Sequence, residues 1–123
     1  AKKGCGVGEC GGCTVIVNDE ETVDSCIYLA VWADGKKITT VEGLTPENGL
    51  SDVQESFVEE GAVQCGYCTP GLIVSSTFLL SKNSDPTEPE IRRGISGNLC
   101  RCTGYTKIIK AVKRTAEQRK RGK

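Results

Sequence analysis

Histidine is absent from all 123 residues. That excludes zinc sites with imidazole ligands, Rieske-type iron–sulfur centres and acid–base catalysis by histidine. Sites built from four cysteines remain open. Methionine is absent too, so residue 1 is read as something other than an intact translation start. No apolar run approaches the ~20 residues of a bilayer span, and no signal-peptide pattern occurs. A soluble, cytoplasmic protein with no membrane contact is the expectation. Net charge is missing as well: sixteen basic and sixteen acidic residues cancel, which argues against bulk nucleic-acid binding. The cancellation hides an asymmetry. Residues 14–63 hold eleven acids against two bases, and residues 100–123 hold nine bases against one acid.

What the chain does have is cysteine and glycine, concentrated. Its eight cysteines fall below the roughly 8–10% that marks a disulfide scaffold. Residues 4–13, "GCGVGECGGC", hold three cysteines and five glycines. Glycine lets backbone come close to whatever a loop surrounds. Cys5, Cys10, Cys13 and Cys26 follow C-x4-C-x2-C-x12-C, whose leading spacings are the plant-type [2Fe–2S] pattern. Glycines here let backbone amides face the cluster sulfurs. Structural zinc is the alternative, although zinc ribbons use two separated C-x2-C knuckles. A second set, Cys65, Cys68, Cys100 and Cys102, pairs C-x2-C with C-x-C across thirty-one residues. Both pairs precede predicted helix N-termini, where positive partial charge and free N–H groups favour thiolates. A thioredoxin-type dithiol at "CGYC" and a zinc site are the alternatives for this set.

Around these sets the patterning predicts an α+β protein. "TVIVN", "TVDSCIYLAVW" (holding Cys26) and "KKITTVEGL" read as strands. Ser51 and Gln54 form a capping box for a helix with Val53, Phe57 and Val58, stopped by Gly61. Thr69 and Pro70 read as N-cap and first residue of a second, most buried helix, "GLIVSSTFLLSK". Thr87 and Glu90 cap a short third helix. "YTKIIKAVKRTAEQ" supplies a fourth with Ile108, Ile109, Val112 and Ala116 on one face, and the basic end "KRTAEQRKRGK" reads as frayed. The expected division is a sheet unit over 1–43 and a helical unit over 44–123.

Taken together, "KKGCGVGECGGCTV", "VQCGYCTPG" and "GNLCRCTGY" resemble, in this order, the iron–sulfur subunit of the molybdenum hydroxylases, the xanthine dehydrogenase and aldehyde oxidase family. "DSCIYLAVWADGKKITTVEG" is most similar to bacterial xanthine dehydrogenase members. The resemblance implies a β-grasp, plant-type ferredoxin-like domain, here partial, followed by a four-helix [2Fe–2S]-binding domain. It implies two [2Fe–2S] clusters, one on each cysteine set, with Gln64 and Cys102 beside a molybdopterin. It also implies a large molybdopterin subunit and an FAD subunit as partners in a hetero-oligomer, with no nucleic acid. The reaction, hydroxylation of a purine or related N-heterocycle, would occur on those partners while this chain conducts electrons and is not catalytic alone. Family members carry strands and a helix upstream of the first loop that this sequence lacks, so "TVIVN" is expected to present an unpaired edge. The rival readings are a stand-alone two-cluster ferredoxin and a zinc-binding structural module.

Overall fold

Four consecutive β-branched residues form strand β1 (Thr14–Val17), and all four are buried. Such a run, apolar without alternation after its first residue, suits a strand covered on both faces. In the computed structural model, which describes residues 1–121, β1 is the middle of a three-stranded antiparallel sheet. It pairs with β2 (Glu21–Asp24) in the register Val15↔Val23 and with β3 (Ile38–Thr39) in the register Ile16↔Thr39. The expectation that "TVIVN" is an unpaired edge is therefore wrong: β2 and β3 are the edges. Asn18 and Asp19 make the β1–β2 turn with left-handed φ of 53° and 57°, a conformation these short polar side chains tolerate.

The other two strands are shorter than predicted. After Asp24 the chain enters 3-10 turns at Ser25–Ile27 and Ala30–Ala33, so Cys26 sits on a turn, not within a strand. Ser25 causes the departure by donating from its hydroxyl to the Cys13 carbonyl at 2.7 Å, which draws the chain toward the cysteine loop. Past it, Leu29, Val31 and Trp32 are exposed. After β3 the chain turns directly into the single-turn helix α1 (Val41–Leu44).

Four longer helices follow: α2 (Asp52–Glu59), α3 (Thr69–Lys82), α4 (Glu88–Gly94) and α5 (Thr106–Lys120). Both predicted capping boxes form, Ser51 with Gln54 and Thr87 with Glu90. The start of α3 is displaced by one residue: Cys68 is the N-cap and Thr69 the first helical position. Val53, Phe57, Leu72, Ile73, Leu80, Ile91, Ile95, Ile108, Ile109, Val112 and Ala116 form one continuous apolar core. Val58 is left 61% exposed; at about 100° per residue it lies on the far side of α2 from Val53. β1 packs against α3, which brings the first cysteine loop onto the N-terminal end of the helical core. Residues 122–123, the last of the predicted frayed end, lie outside the described residues; α5 is regular to Lys120.

Candidate metal centres

The first loop runs through Gly6, Gly8 and Gly11 at φ of 74°, 77° and 77°. These left-handed steps turn successive amides inward. Val7, Glu9 and Cys10 donate their backbone N–H groups to Cys5 Sγ at 3.4, 3.3 and 3.4 Å. Gly12 donates to Cys10 Sγ at 3.4 Å, and Cys26 to Cys13 Sγ at 3.3 Å. The three donors around Cys5 stabilise its thiolate and bring its pKa down to about 6. Cys26 is shifted the other way, by desolvation first and then by the neighbouring Cys13 and Cys5 sulfurs. Negative charge at this loop is thus met by backbone dipoles, with no basic side chain required.

The second set is built from two loops that end in helices. Cys65 and Cys68 lead into α3; Cys100 and Cys102 precede α5. Tyr67 N–H donates to Cys65 Sγ at 3.5 Å. Partial burial raises the Cys100 thiol pKa, but the Thr103 hydroxyl at 3.1 Å and the Thr103 N–H at 3.4 Å outweigh it, and the net shift is downward. Cys68 is pushed up to about 12 by burial and by the Cys100 and Cys65 sulfurs, and Cys102 is raised by Cys65. Tyr105 braces this loop. It adopts a left-handed φ of 72°, donates its N–H to Thr103 Oγ1 at 3.2 Å and accepts the Cys100 N–H on its hydroxyl at 2.7 Å.

Within each set the thiols are close enough to shift one another: Cys26 responds to Cys13 and Cys5, Cys68 to Cys100 and Cys65, and Cys102 to Cys65 and Cys100. Among the described residues no three Cys, Asp or Glu side chains close on one ion-sized point. Four neighbouring thiols with amides aimed at their sulfurs would suit a group with more than one metal atom better than a single ion. An all-sulfur donor set is also the chemistry of iron–sulfur ligation. The residues present fit such a group at both sets.

The two sets are adjacent. Cys10 shares a cavity of about 210 Å³ with Cys65, Cys68, Cys100 and Cys102. The Leu99 N–H donates to the Cys10 carbonyl at 2.8 Å, and the Tyr67 hydroxyl donates to the Lys3 carbonyl at 2.5 Å. Gln64 lies exposed in the loop between α2 and α3, beside exposed Cys65. Sequence reasoning missed Asn98, Thr103 and Tyr105. All three stand inside "GNLCRCTGY", within three residues of a cysteine, and that position was the available signal.

Three comparisons bear on this arrangement. The [2Fe-2S] binding domain family matches residues 40–113. The chain is 56% identical over 113 residues to the xanthine dehydrogenase iron-sulfur-binding subunit of Escherichia coli O157:H7, covering 90% of this chain and 70% of that one. It is 53% identical over 117 residues to the nicotinate dehydrogenase small FeS subunit of Eubacterium barkeri, covering 95% and 74%. Among solved structures, quinoline 2-oxidoreductase from Pseudomonas putida 86 superposes with a TM-score of 0.91 at 44% identity, covering 98% of this chain and 75% of that chain. The aldehyde oxidoreductase from Desulfovibrio desulfuricans ATCC 27774 gives 0.93 at 39% identity, covering 99% and 14%.

Proposed function

From the premise that this chain belongs to the [2Fe-2S]-binding iron–sulfur subunits of the molybdenum hydroxylases, we propose that it conducts electrons between a molybdopterin centre and a flavin or other acceptor on partner subunits. Cys5, Cys10, Cys13 and Cys26 hold one [2Fe–2S] group, in a sheet unit over 1–43. Cys65, Cys68, Cys100 and Cys102 hold the other, in a helical unit over 44–123. A [2Fe–2S] group takes up and gives up one electron at a time when bound. The protein's part is to hold the two groups close, keep them charged and aim them.

The observation that carries the reading is the bond from Leu99 N–H to the Cys10 carbonyl at 2.8 Å. Leu99 is covalently joined to Cys100, so one hydrogen bond links a ligand of the first set to a ligand of the second. The three backbone amides on Cys5 stabilise the charged thiolate form that binds metal, and Cys10 and Cys13 each accept one amide N–H. Cys102 is exposed, and exposed Gln64 flanks Cys65. These two residues face the molybdopterin of the large subunit, Gln64 through its side-chain amide. The chain has no histidine and contributes no base to the hydroxylation itself. The substrate is a purine or related N-heterocycle, a reading supported by the xanthine and nicotinate relatives.

Purified with its partners, the chain should carry four irons and four acid-labile sulfides and show two distinguishable reduced-cluster EPR signals. Cys→Ser changes in one set should remove one signal and leave the other. A colourless protein with one or two zinc ions would overturn the assignment. A stable two-cluster protein that never co-purifies with molybdenum and flavin subunits would favour a free-standing ferredoxin.

A further inference from the structure

Between the two thiol sets lies a buried polar knot that contains none of the thiols. Asn98 is at its centre and is 5% exposed. Its Nδ2 donates to the Gly11 carbonyl at 2.9 Å and lies 3.3 Å from Thr14 Oγ1. Its Oδ1 accepts from Ser75 Oγ at 2.7 Å. Thr14 Oγ1 in turn donates to the Gly11 carbonyl at 2.6 Å, and both Thr14 and Ser75 are buried. One amide therefore ties the first cysteine loop, strand β1, helix α3 and the second cysteine loop.

Two features show that the contact is close as well as hydrogen-bonded. A Cβ on Gly11 would collide with the Gly97 carbonyl and Asn98 Nδ2, and a Cβ on Gly71 with the Gly11 carbonyl. Three backbones meet where only glycine fits. The neighbouring residue makes the matching bond, Leu99 N–H to the Cys10 carbonyl. Consecutive residues 98 and 99 thus hold consecutive carbonyls 11 and 10. A buried asparagine needs its amide satisfied wherever it sits, but it need not span two metal loops 87 positions apart.

We propose that Asn98 is a positioning residue for electron passage: it fixes the placement of one cysteine set against the other and keeps the Leu99–Cys10 bond in register. The inference rests on the two-cluster reading above. In the step it serves, one electron is given up at the Cys65/Cys68/Cys100/Cys102 set and taken up at the Cys5/Cys10/Cys13/Cys26 set. Asn98 itself exchanges neither atoms nor charge. The Gly11 carbonyl can only accept, so it fixes the amide with Nδ2 toward it, and Ser75 Oγ holds the other end by donating to Oδ1.

The test uses the complete complex, with both sites reduced and frozen, and reads the spin–spin splitting between the two signals together with the rate of electron redistribution after a rapid pulse. Asn98→Ala should keep both signals at wild-type g-values and iron content. It should lose the single defined splitting and redistribute electrons severalfold more slowly. Ser75→Ala should move both readouts the same way, less far. A variant Asn98→Ala complex that melts earlier yet keeps the wild-type splitting and rate overturns the proposal, since a merely structural asparagine behaves so. If Asn98→Ala does not assemble, Ser75→Ala decides by the same two readouts: a change supports the proposal, and wild-type values overturn it. Failure of the underlying reading looks different, because the wild-type complex would then lack the two signals.

Discussion

At the scale of single residues, thiols of one kind are driven in opposite directions by their surroundings. Cys5 is lowered by three backbone N–H donors, while Cys68 is raised by burial beside two sulfurs. Cys100 is the intermediate case, and its balance is tipped by Thr103. Hydrogen bonds to cluster sulfurs are among the determinants of reduction potential. Thr103→Val removes the hydroxyl donor on Cys100 Sγ while keeping the side chain's shape. The second-site potential should therefore move negative, on the order of tens of mV for a one-electron couple, and Thr103→Ser should restore it. An EPR-monitored redox titration checks this; an unchanged midpoint would mean the hydroxyl does not reach the sulfur in the loaded protein. The two cysteine sets could be grouped in the sequence because spacing is a local count. Asn98 was not legible there, because its role comes from where loops meet: it finds Gly11 and Ser75 only after the sheet docks on α3. Thr103 acts within its own loop, on Cys100 three residues back, and its signal was the local sequence beside the cysteines.

At the scale of elements, legibility again follows locality. A capping box is specified by four consecutive residues, so Ser51–Gln54 and Thr87–Glu90 could be read directly. Strand length depends on a partner, and the predicted second strand stops at Asp24 because Ser25 turns to Cys13 instead. Loss of the α2 cap through Ser51→Ala should cost about 0.5–2 kcal/mol, read by chemical denaturation. The larger local effect belongs to a contact the sequence does not advertise. Thr115 Oγ1 on α5 lies 2.8 Å from Ser56 Oγ on α2, and both residues are fully buried. Thr115→Val conserves volume but strands the Ser56 hydroxyl in the core, which should cost about 1–3 kcal/mol. The double change Thr115→Val with Ser56→Ala should recover part of that loss, because the stranded Ser56 hydroxyl is then gone.

At the scale of the whole molecule, the charge asymmetry seen in the sequence is partly spent inside the fold. The acidic helix α2 lies against the basic helix α5. Arg119 binds Asp52 with Nε–Oδ2 at 2.6 Å and Nη2–Oδ1 at 3.0 Å, and Arg114 reaches Glu60 at 3.7 Å. Lys120 meets Asp85 at 2.8 Å. Sequence composition located the two charge blocks but not their pairing, which requires the helix packing. The Arg119 hydrogen bonds hold the Asp52 carboxyl below the usual carboxylate range against its partial desolvation. A carboxyl whose folded pKa is depressed contributes stability that is fully present above its unfolded value, about 3.9, and is lost as pH falls through the lower folded value. Both partners are more than a third exposed, so solvent screening limits the pair to about 0.2–1 kcal/mol. Asp52→Asn should therefore be less stable than the parent by that amount at pH 7. The difference should shrink below about pH 4 as the parent's own carboxyl protonates, and it should shrink with added salt at neutral pH. Urea denaturation of both proteins across that pH range is the measurement. A gap that stays constant into acid would assign Asp52 a packing role at the start of α2 instead of an electrostatic one across the α2–α5 seam.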